Sequence, residues 1–253
     1  DRCGRIGTAY LTETLMELDK EQMVRYSRTI MLDEIGTEGQ RRLLDGSVLI
    51  VGAGALGSIC AMYLAASGIG RIGIIDFDTV GLSNLQRQLS YTESDLGQPK
   101  TDVLERRLHE INSGIMVEAY NRMLTRENAT ELLAGYDVVV EGSDNPSTKY
   151  LVTDTAHRLG KPCVAGGVRE FVGQVMTFPP YCATTYRDLF PDAPCESGFT
   201  PCSAGGVLGP LPGVVASMQA AEVIKLLTGI NTGTGHLLQI DLHTLTTTRL
   251  EIS

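Results

Sequence analysis

A glycine-rich turn is the first feature of this sequence whose residue types and spacing could bind a phosphate. Gly52, Gly54 and Gly57 follow the pattern G-x-G-x-x-G between a short apolar run and a helical segment. Gly52 allows a tight turn, Gly54 lets a phosphate approach the backbone, and Gly57 permits close packing of helix on strand. The N-terminus of the helix adds free N–H groups and a partial positive charge.

An acidic residue lies at the expected distance beyond this turn. Asp76 ends the next apolar run, where a carboxylate accepts hydrogen bonds from the hydroxyls of a ribose. The two signals together indicate a nucleotide, for which NAD is the commonest ligand. A turn with a purely structural role is the alternative, and Asp76 disfavours it.

Polar and charged residues that follow Asp76 favour ATP over NAD. They are Asp78, Asn84, Arg87 and Lys100. An arginine offers phosphate a bidentate fork and a lysine offers a mobile point charge, and hydride transfer requires neither. Each of these residues alone would more often be a solvated surface group. Beside a glycine turn, the set predicts a triphosphate site.

A second candidate loop, Ser143-Asp144-Asn145, follows the predicted strand Asp137–Glu141. Ligands of doubly wound sheets bind at the carboxyl ends of strands, so Asp144 should face the same crevice as Gly54. A carboxylate beside a triphosphate commonly holds Mg²⁺. The alternative for Asp144 is capping of the helix that begins at Pro146, and a division of the two roles between Asp144 and Asn145 stays open.

Alternating strands and helices must position these groups. The predicted strands of the first part of the chain are Ser47–Val51, Arg71–Asp76, Met116–Tyr120, Asp137–Glu141 and Pro162–Ala165. The predicted helices between them are Leu56–Ser67, Lys100–Ile111, Arg126–Ala134 and Pro146–Leu159. This alternation predicts an α/β fold with a Rossmann-like, doubly wound, mostly parallel sheet.

The pattern changes at both ends of the chain. A capping box at Asp19 opens a helix predicted to run through Met31. After Gly167 we predict a strand, a long loop, a helix and two antiparallel strands, at Phe171–Phe178, Pro179–Gly206, Val214–Leu227, His236–Asp241 and Thr246–Ile252. We expect one domain over residues 1–253, made of an N-terminal arm and helices (1–45), a nucleotide-binding half (46–167) and a second half (168–253).

Composition excludes some classes of function. A net charge of −9 argues against a nucleic-acid surface, which needs clustered lysine and arginine. The uncharged stretches 47–70 and 197–221 contain glycines or prolines that disfavour a membrane span. The opening residues do not resemble a signal peptide, so we expect a cytoplasmic protein with reduced cysteines and no membrane partner.

Ordered motifs along residues 19–252 resemble the ThiF/MoeB/HesA family, bacterial relatives of ubiquitin-activating enzymes. They are Arg25-Tyr-Ser-Arg28, the glycine turn, Asp76-Phe-Asp78, Leu82-Ser-Asn-Leu-Gln-Arg-Gln88, Gly97-Gln-Pro-Lys100, Ser143-Asp-Asn145, and Gly206-Val-Leu-Gly-Pro210 before Gln219-Ala-Ala-Glu-Val-Ile-Lys225. The resemblance implies ATP-dependent adenylation of the C-terminal Gly-Gly carboxylate of a ubiquitin-like sulfur-carrier protein of the ThiS/MoaD type. Residues 168–253, with a crossover loop, would bind that carrier. The carrier and its pathway stay open.

The resemblance also implies roles for particular residues. Gly54, Asp76, Asn84, Arg87, Lys100 and Asp144 would form the ATP site. Arg87, Lys100 and Mg²⁺ on Asp144 would stabilise the charge that develops during transfer. The enzyme would be a homodimer in which Arg28 reaches into the site of the partner.

Cysteine usage departs from the family pattern. Many members bind structural zinc through two C-x-x-C pairs, but here Thr185-Tyr-Arg-Asp188 occupies the first position and the second pair is missing. Since tetrahedral zinc needs four ligands, we expect no zinc. The resemblance gives Cys202 a role in a covalent link to the carrier, and a small apolar filler is the alternative.

Two other functions compete with adenylation. An NAD-dependent oxidoreductase would need a catalytic side chain facing the crevice, but the four histidines fall at positions typical of helix surfaces or sheet edges. A non-catalytic nucleotide-binding module would bind ATP without exchanging pyrophosphate. The density of phosphate-seeking residues favours adenylation over both.

Overall fold

The computed structural model describes residues 18–181, 183–191, 205–230 and 235–251. Within these ranges one sheet of eight strands carries helices on both faces. The strands are β1 (Ser47–Val51), β2 (Arg71–Asp76), β3 (Met116–Asn121), β4 (Val138–Glu141), β5 (Cys163–Arg169), β6 (Val172–Phe178), β7 (His236–Asp241) and β8 (Thr246–Glu251). The helices are α1 (Lys20–Arg25), α2 (Ser27–Ile30), α3 (Gly36–Asp45), α4 (Gly57–Ala66), α5 (Lys100–Ile111), α6 (Arg126–Ala134), α7 (Pro146–Leu159), α8 (Tyr186–Leu189) and α9 (Pro210–Thr228).

The strand order is β3-β2-β1-β4-β5-β6-β7-β8. The pairs from β3 through β5 are parallel, and those from β5 through β8 are antiparallel. Val51 is level with both Ile75 and Glu141, so three neighbouring parallel strands end together. The predicted fold class, a mostly parallel doubly wound sheet with antiparallel C-terminal strands, is confirmed.

The central strands are buried on both faces. Val48 and Ile50 of β1 pack into the apolar cluster that contains residues of α4, α5 and α9. Leu49 and Val51 point to the opposite cluster, which contains residues of α6 and α7. Consecutive residues of β1 must therefore all be apolar, because neighbours along the strand are buried on opposite faces of the sheet. Burial of each such side chain contributes about 1.5–3 kcal/mol.

The start of α9 differs from the prediction. The helix begins at Pro210 rather than Val214, with a second proline, Pro212, in its first turn. A proline is tolerated there because the N–H groups of a first turn have no partner within the helix. α9 has 19 residues. Among the described helices, however, none combines the length and the apolar character needed to cross a membrane.

The predicted N-terminal helix is interrupted at Tyr26, which separates α1 from α2. The capping box at Asp19 is present. Tyr26 is buried, and its hydroxyl accepts a hydrogen bond of 2.9 Å from the Asn112 side chain. Its ring lies so close to Gly68 that an added Cβ there would be 2.5 Å from the Tyr26 ring carbon. These contacts with distant residues could not be read from helical periodicity.

Candidate active site

A cavity of about 420 Å³ opens at the carboxyl ends of the parallel strands. It lies where β1 separates β2 from β4, the point of strand-order reversal at which doubly wound sheets bind ligands. The structure brings seven predicted residues to its wall: Gly52, Gly54, Asp76, Asp78, Arg87, Lys100 and Asp144.

The glycine turn joins β1 to α4. Gly52 has a φ of +92°, a conformation that side chains disfavour. A Cβ added to Gly57 would lie 1.8 Å from the Gly52 carbonyl oxygen, so only glycine lets α4 approach the strand this closely. At Gly54 an added Cβ would meet nothing nearer than the Gln88 amide nitrogen, at 3.7 Å. Gly57 therefore acts by packing, whereas Gly54 faces open space in the cavity.

Asp76 and Tyr91 hold the turn from two sides. One carboxylate oxygen of Asp76 accepts the Ala53 N–H at 2.6 Å, and the other accepts the Asp78 N–H at 2.8 Å. The Tyr91 hydroxyl donates to the Ala53 carbonyl oxygen at 2.7 Å. Burial, followed by the charges of Asp76 and Asp95, raises the pKa of Tyr91, so its hydroxyl stays a neutral donor. Each Asp76 oxygen keeps a second lone pair with which to accept from a ribose.

Two of the cationic residues that border the cavity, Lys100 and Arg87, were predicted from the sequence. Lys100 begins α5, and its ammonium donates to the Asp78 carboxylate at 2.9 Å. The Lys100 side chain is 5% exposed and that of Asp78 is 52% exposed, so the pair links a buried charge to solvent. Arg87 is half-buried and donates to the Ser83 carbonyl oxygen at 3.0 Å. Both can offer donors to phosphate oxygens.

The Ser143–Asn145 loop shows which residue caps α7, a role that the sequence leaves open for Asp144 beside metal binding. Asn145 caps α7, because its side-chain oxygen accepts the N–H groups of Ser147 and Thr148 at 2.9 and 3.4 Å. The cap therefore does not use Asp144, whose carboxylate is exposed at the cavity wall. The capping alternative for Asp144 is wrong.

The acidic groups around the cavity fit Mg²⁺ held jointly with a substrate. No cluster of three or more histidine, cysteine, aspartate or glutamate side chains that could hold a metal occurs in the described residues. Magnesium is usually bound by one or two carboxylates together with substrate phosphates, rather than by a cage made only of protein. The exposed Asp144 carboxylate lines the same cavity as the glycine turn and would supply a ligand of that kind.

Two predicted residues of the described ranges, Asn84 and Arg28, are not among those that line the cavity. The Asn84 side-chain oxygen accepts the Gly81 N–H at 3.0 Å and so shapes the loop, and Asn84 is not among the described residues that line the cavity. Arg28 on α2 is exposed and is likewise not among them. Cys202 lies outside the described residues, as do Cys182 and Cys195. The roles assigned to these residues, and the expected lack of zinc, stay predictions.

Comparison with known proteins shows the family to which this chain belongs. The model of the ThiF family matches residues 26–253. The chain belongs to the ThiF family. It is 47% identical to the sulfur carrier protein adenylyltransferase of Thermus thermophilus, with 89% of this chain and 86% of that protein covered. It is 45% identical to the adenylyltransferase and sulfurtransferase MOCS3 of Anopheles gambiae, covering 84% of this chain but only 48% of MOCS3, about half its length.

Solved structures show the same fold. This ThiF-family chain matches Escherichia coli MccB with ATP at a TM-score of 0.74 and 25% identity, with 90% of this chain and 71% of MccB covered. The Microcin C7 biosynthetic enzyme MccB in complex with N-formylated MccA matches at a TM-score of 0.80 and 24% identity, with 90% of this chain and 72% of that chain covered.

The cavity is also lined by residues that the sequence analysis did not single out. Arg122, Met123 and Leu124 follow β3 and line the cavity. Their place after a strand end could have identified them by the rule that identified Asp144. Gln88 is 5% exposed, and its side-chain oxygen has no hydrogen-bond partner among the described residues. Only the folded loop reveals that this residue lines the cavity.

Proposed function

We propose that this chain is an adenylyltransferase that uses ATP and Mg²⁺ to activate the C-terminal carboxylate of a ubiquitin-like sulfur-carrier protein ending in Gly-Gly. The observation that carries the proposal is the meeting of the Gly54 turn, two cations (Arg87 and Lys100) and the Asp144 carboxylate around one cavity. The Thermus thermophilus relative, named a sulfur carrier protein adenylyltransferase, supports the substrate class.

The reaction needs no nucleophile from the protein. An oxygen of the carrier carboxylate forms a bond to the α-phosphorus of ATP, and the bond to the bridging oxygen breaks with release of pyrophosphate. N–H groups at the start of α4 bind phosphate oxygens, and Asp76 accepts from the ribose. Arg87 and Lys100 stabilise charge on the transferring and departing phosphates. Mg²⁺ bound at Asp144 would neutralise further phosphate charge.

The ion pair between Lys100 and Asp78 keeps a cation in place for the negative charge of the ATP phosphates. A buried ammonium without a partner would be costly, and Asp78 removes that penalty before ATP arrives. Because the Asp78 carboxylate is half exposed, it can return to water when a phosphate oxygen takes its place. The Lys100 side chain thus has an acidic partner before and after ATP binds.

We further propose that the enzyme works as a homodimer in which Arg28 serves the cavity of the partner. Arg28 is exposed on α2 and is not among the described residues at its own cavity. Met31 and Leu32, which follow α2, are exposed large apolar side chains that a second copy would cover.

Exchange of labelled pyrophosphate into ATP tests the proposed function. We expect exchange only when both Mg²⁺ and a carrier with a free C-terminal Gly-Gly carboxylate are present. The matched control is the same carrier with an amidated C-terminus, which cannot attack phosphorus. ATP binding without carrier-dependent exchange would indicate a nucleotide-binding module, and binding of a nicotinamide cofactor would indicate an oxidoreductase.

A further inference from the structure

A buried ion pair lies next to the loop that carries Asp144. Glu141, the last residue of β4, is fully buried, and Lys149 in the first turns of α7 is buried as well. The Lys149 ammonium donates to one oxygen of the Glu141 carboxylate. It also donates to the Gly166 carbonyl oxygen in β5 at 2.6 Å. The end of β4, the middle of β5 and the start of α7 therefore meet at these two charges.

Both flanks of Asp144 are connected to this ion pair. On one side, the second oxygen of Glu141 accepts the Ser143 N–H at 2.9 Å and also the Ser143 hydroxyl. On the other side, Asn145 caps α7, the helix that carries Lys149. The backbone of Asp144 is thus fixed by Ser143 before it and by Asn145 after it.

The sheet itself does not require a charge at this position. The strand neighbours of Glu141 in register are Val51 and Ala165, both apolar. Burying an ion pair is often no more stabilising than well-packed apolar residues of similar volume. A carboxylate with two separately used oxygens, one for Lys149 and one for Ser143, therefore suggests a demand for exact placement of the loop.

We infer that Glu141 and Lys149 are positioning residues that hold the Asp144 carboxylate where it can share Mg²⁺ with bound ATP. This step rests on the proposed function of Asp144. Lys149 borders the cavity, but its ammonium is engaged by Glu141 and Gly166. The pair acts through the Ser143–Asn145 loop, and the chemistry at phosphorus belongs to other residues.

Titration calorimetry of ATP binding separates this role from a purely structural one. The quantity to compare is the ratio of the ATP dissociation constant measured in chelator to that measured in Mg²⁺, which we call the Mg²⁺ gain. In Glu141→Gln one acceptor oxygen must replace two, so either Ser143 or Lys149 loses its partner. We expect ATP affinity in chelator to stay close to that of the unaltered protein, while the gain from Mg²⁺ falls about tenfold, as for outer partners of metal ligands.

Two variants serve as matched controls. Glu118→Gln breaks the Arg71–Glu118 ion pair of 2.7 Å, which joins β2 to β3. It should lower the melting temperature and leave the Mg²⁺ gain unchanged, because Glu118 is not among the described cavity residues. Lys149→Arg keeps the charge and the donors, so it should retain most of the gain.

If Glu141→Gln does not fold, the double variant Glu141→Gln with Lys149→Met removes both buried charges, and the same loss of Mg²⁺ gain is expected of it. A folded variant, single or double, whose Mg²⁺ gain equals that of the unaltered protein would overturn the inference. If the unaltered protein itself shows no Mg²⁺ gain, the metal role proposed for Asp144 is wrong. That result is seen without any variant, so it is distinct from a failure of the inference about Glu141 and Lys149.

Discussion

Lys100 and Asp78 are joined twice, by an ion pair of 2.9 Å between their side chains and by a hydrogen bond of 3.0 Å from the Lys100 N–H to the Asp78 carbonyl oxygen. The ion pair holds the Lys100 ammonium in place, and the backbone hydrogen bond fixes the start of α5. The loop after β2 and the helix that follows it therefore present one oriented cation to the cavity.

Replacement of Lys100 by methionine should reduce the rate of adenylation far more than replacement of Asp78 by asparagine. Lys100→Met removes a charge aimed at the phosphates, and a loss of about 10²–10³-fold in kcat is expected for such a group. Asp78→Asn leaves the ammonium in place and should reduce kcat by less than about tenfold, since it removes only the resting partner. Steady-state kinetics of both variants checks this order. A Lys100→Met enzyme as fast as the unaltered one would remove Lys100 from the mechanism.

The neighbours Asp144 and Asn145 should separate activity from stability. Asp144→Ala should abolish pyrophosphate exchange with no change in melting temperature, because the side chain is exposed and caps nothing. Asn145→Ala removes the cap of α7 and should destabilise the fold by about 1 kcal/mol. Calorimetry and exchange assays on both variants give the comparison. Exchange at the unaltered rate in Asp144→Ala would show that the metal role assigned to it is wrong.

Two glycines of the same turn should respond in opposite ways to alanine. Gly54→Ala places a methyl group in open space within the cavity, so the protein should fold normally and bind ATP more weakly. Gly57→Ala places a methyl group 1.8 Å from the Gly52 carbonyl oxygen and should lower the melting temperature. Thermal unfolding with and without ATP distinguishes the two effects. Equal ATP affinity in Gly54→Ala and the unaltered protein would contradict binding of phosphate at this turn.

Mixed dimers test the proposed action of Arg28 across an interface. Arg28→Ala and Asp144→Ala should each be inactive alone. When the two are mixed and allowed to exchange subunits, some sites receive both groups, and part of the exchange activity should return. With subunit exchange confirmed by mass spectrometry, a lack of any recovery would place Arg28 in its own chain's site or outside the mechanism.

Local patterns predict much of the fold and the site. The bounds of β1, β2, α5, α6 and α7 match the prediction, because apolar runs and cap residues are local signals. The rule that ligands lie at the carboxyl ends of strands correctly places Asp144, on a loop far along the chain, at the same cavity as Gly54. These successes depend only on element type and order.

Features that depend on contacts between distant residues escape this reasoning. Nothing near Tyr26 indicates that it packs on Gly68 and interrupts a helix. The partnership of Glu141 with Lys149 also needs the folded loop, since the sequence shows only an acid after an apolar strand and a lysine on a helix. The same holds for Asn84, whose side chain turns back to Gly81. Side-chain direction, rather than residue type, decides each case.

Mass spectrometry of the carrier is the most direct test of the central claim. The enzyme is incubated with ATP, Mg²⁺ and a ubiquitin-like sulfur carrier ending in Gly-Gly, beside a matched carrier that lacks the last glycine. We expect the first carrier to gain the mass of one adenylyl group, with release of an equal amount of pyrophosphate, and the shortened carrier to stay unmodified. ATP binding with no adenylyl group on any Gly-Gly carrier tested would contradict the account.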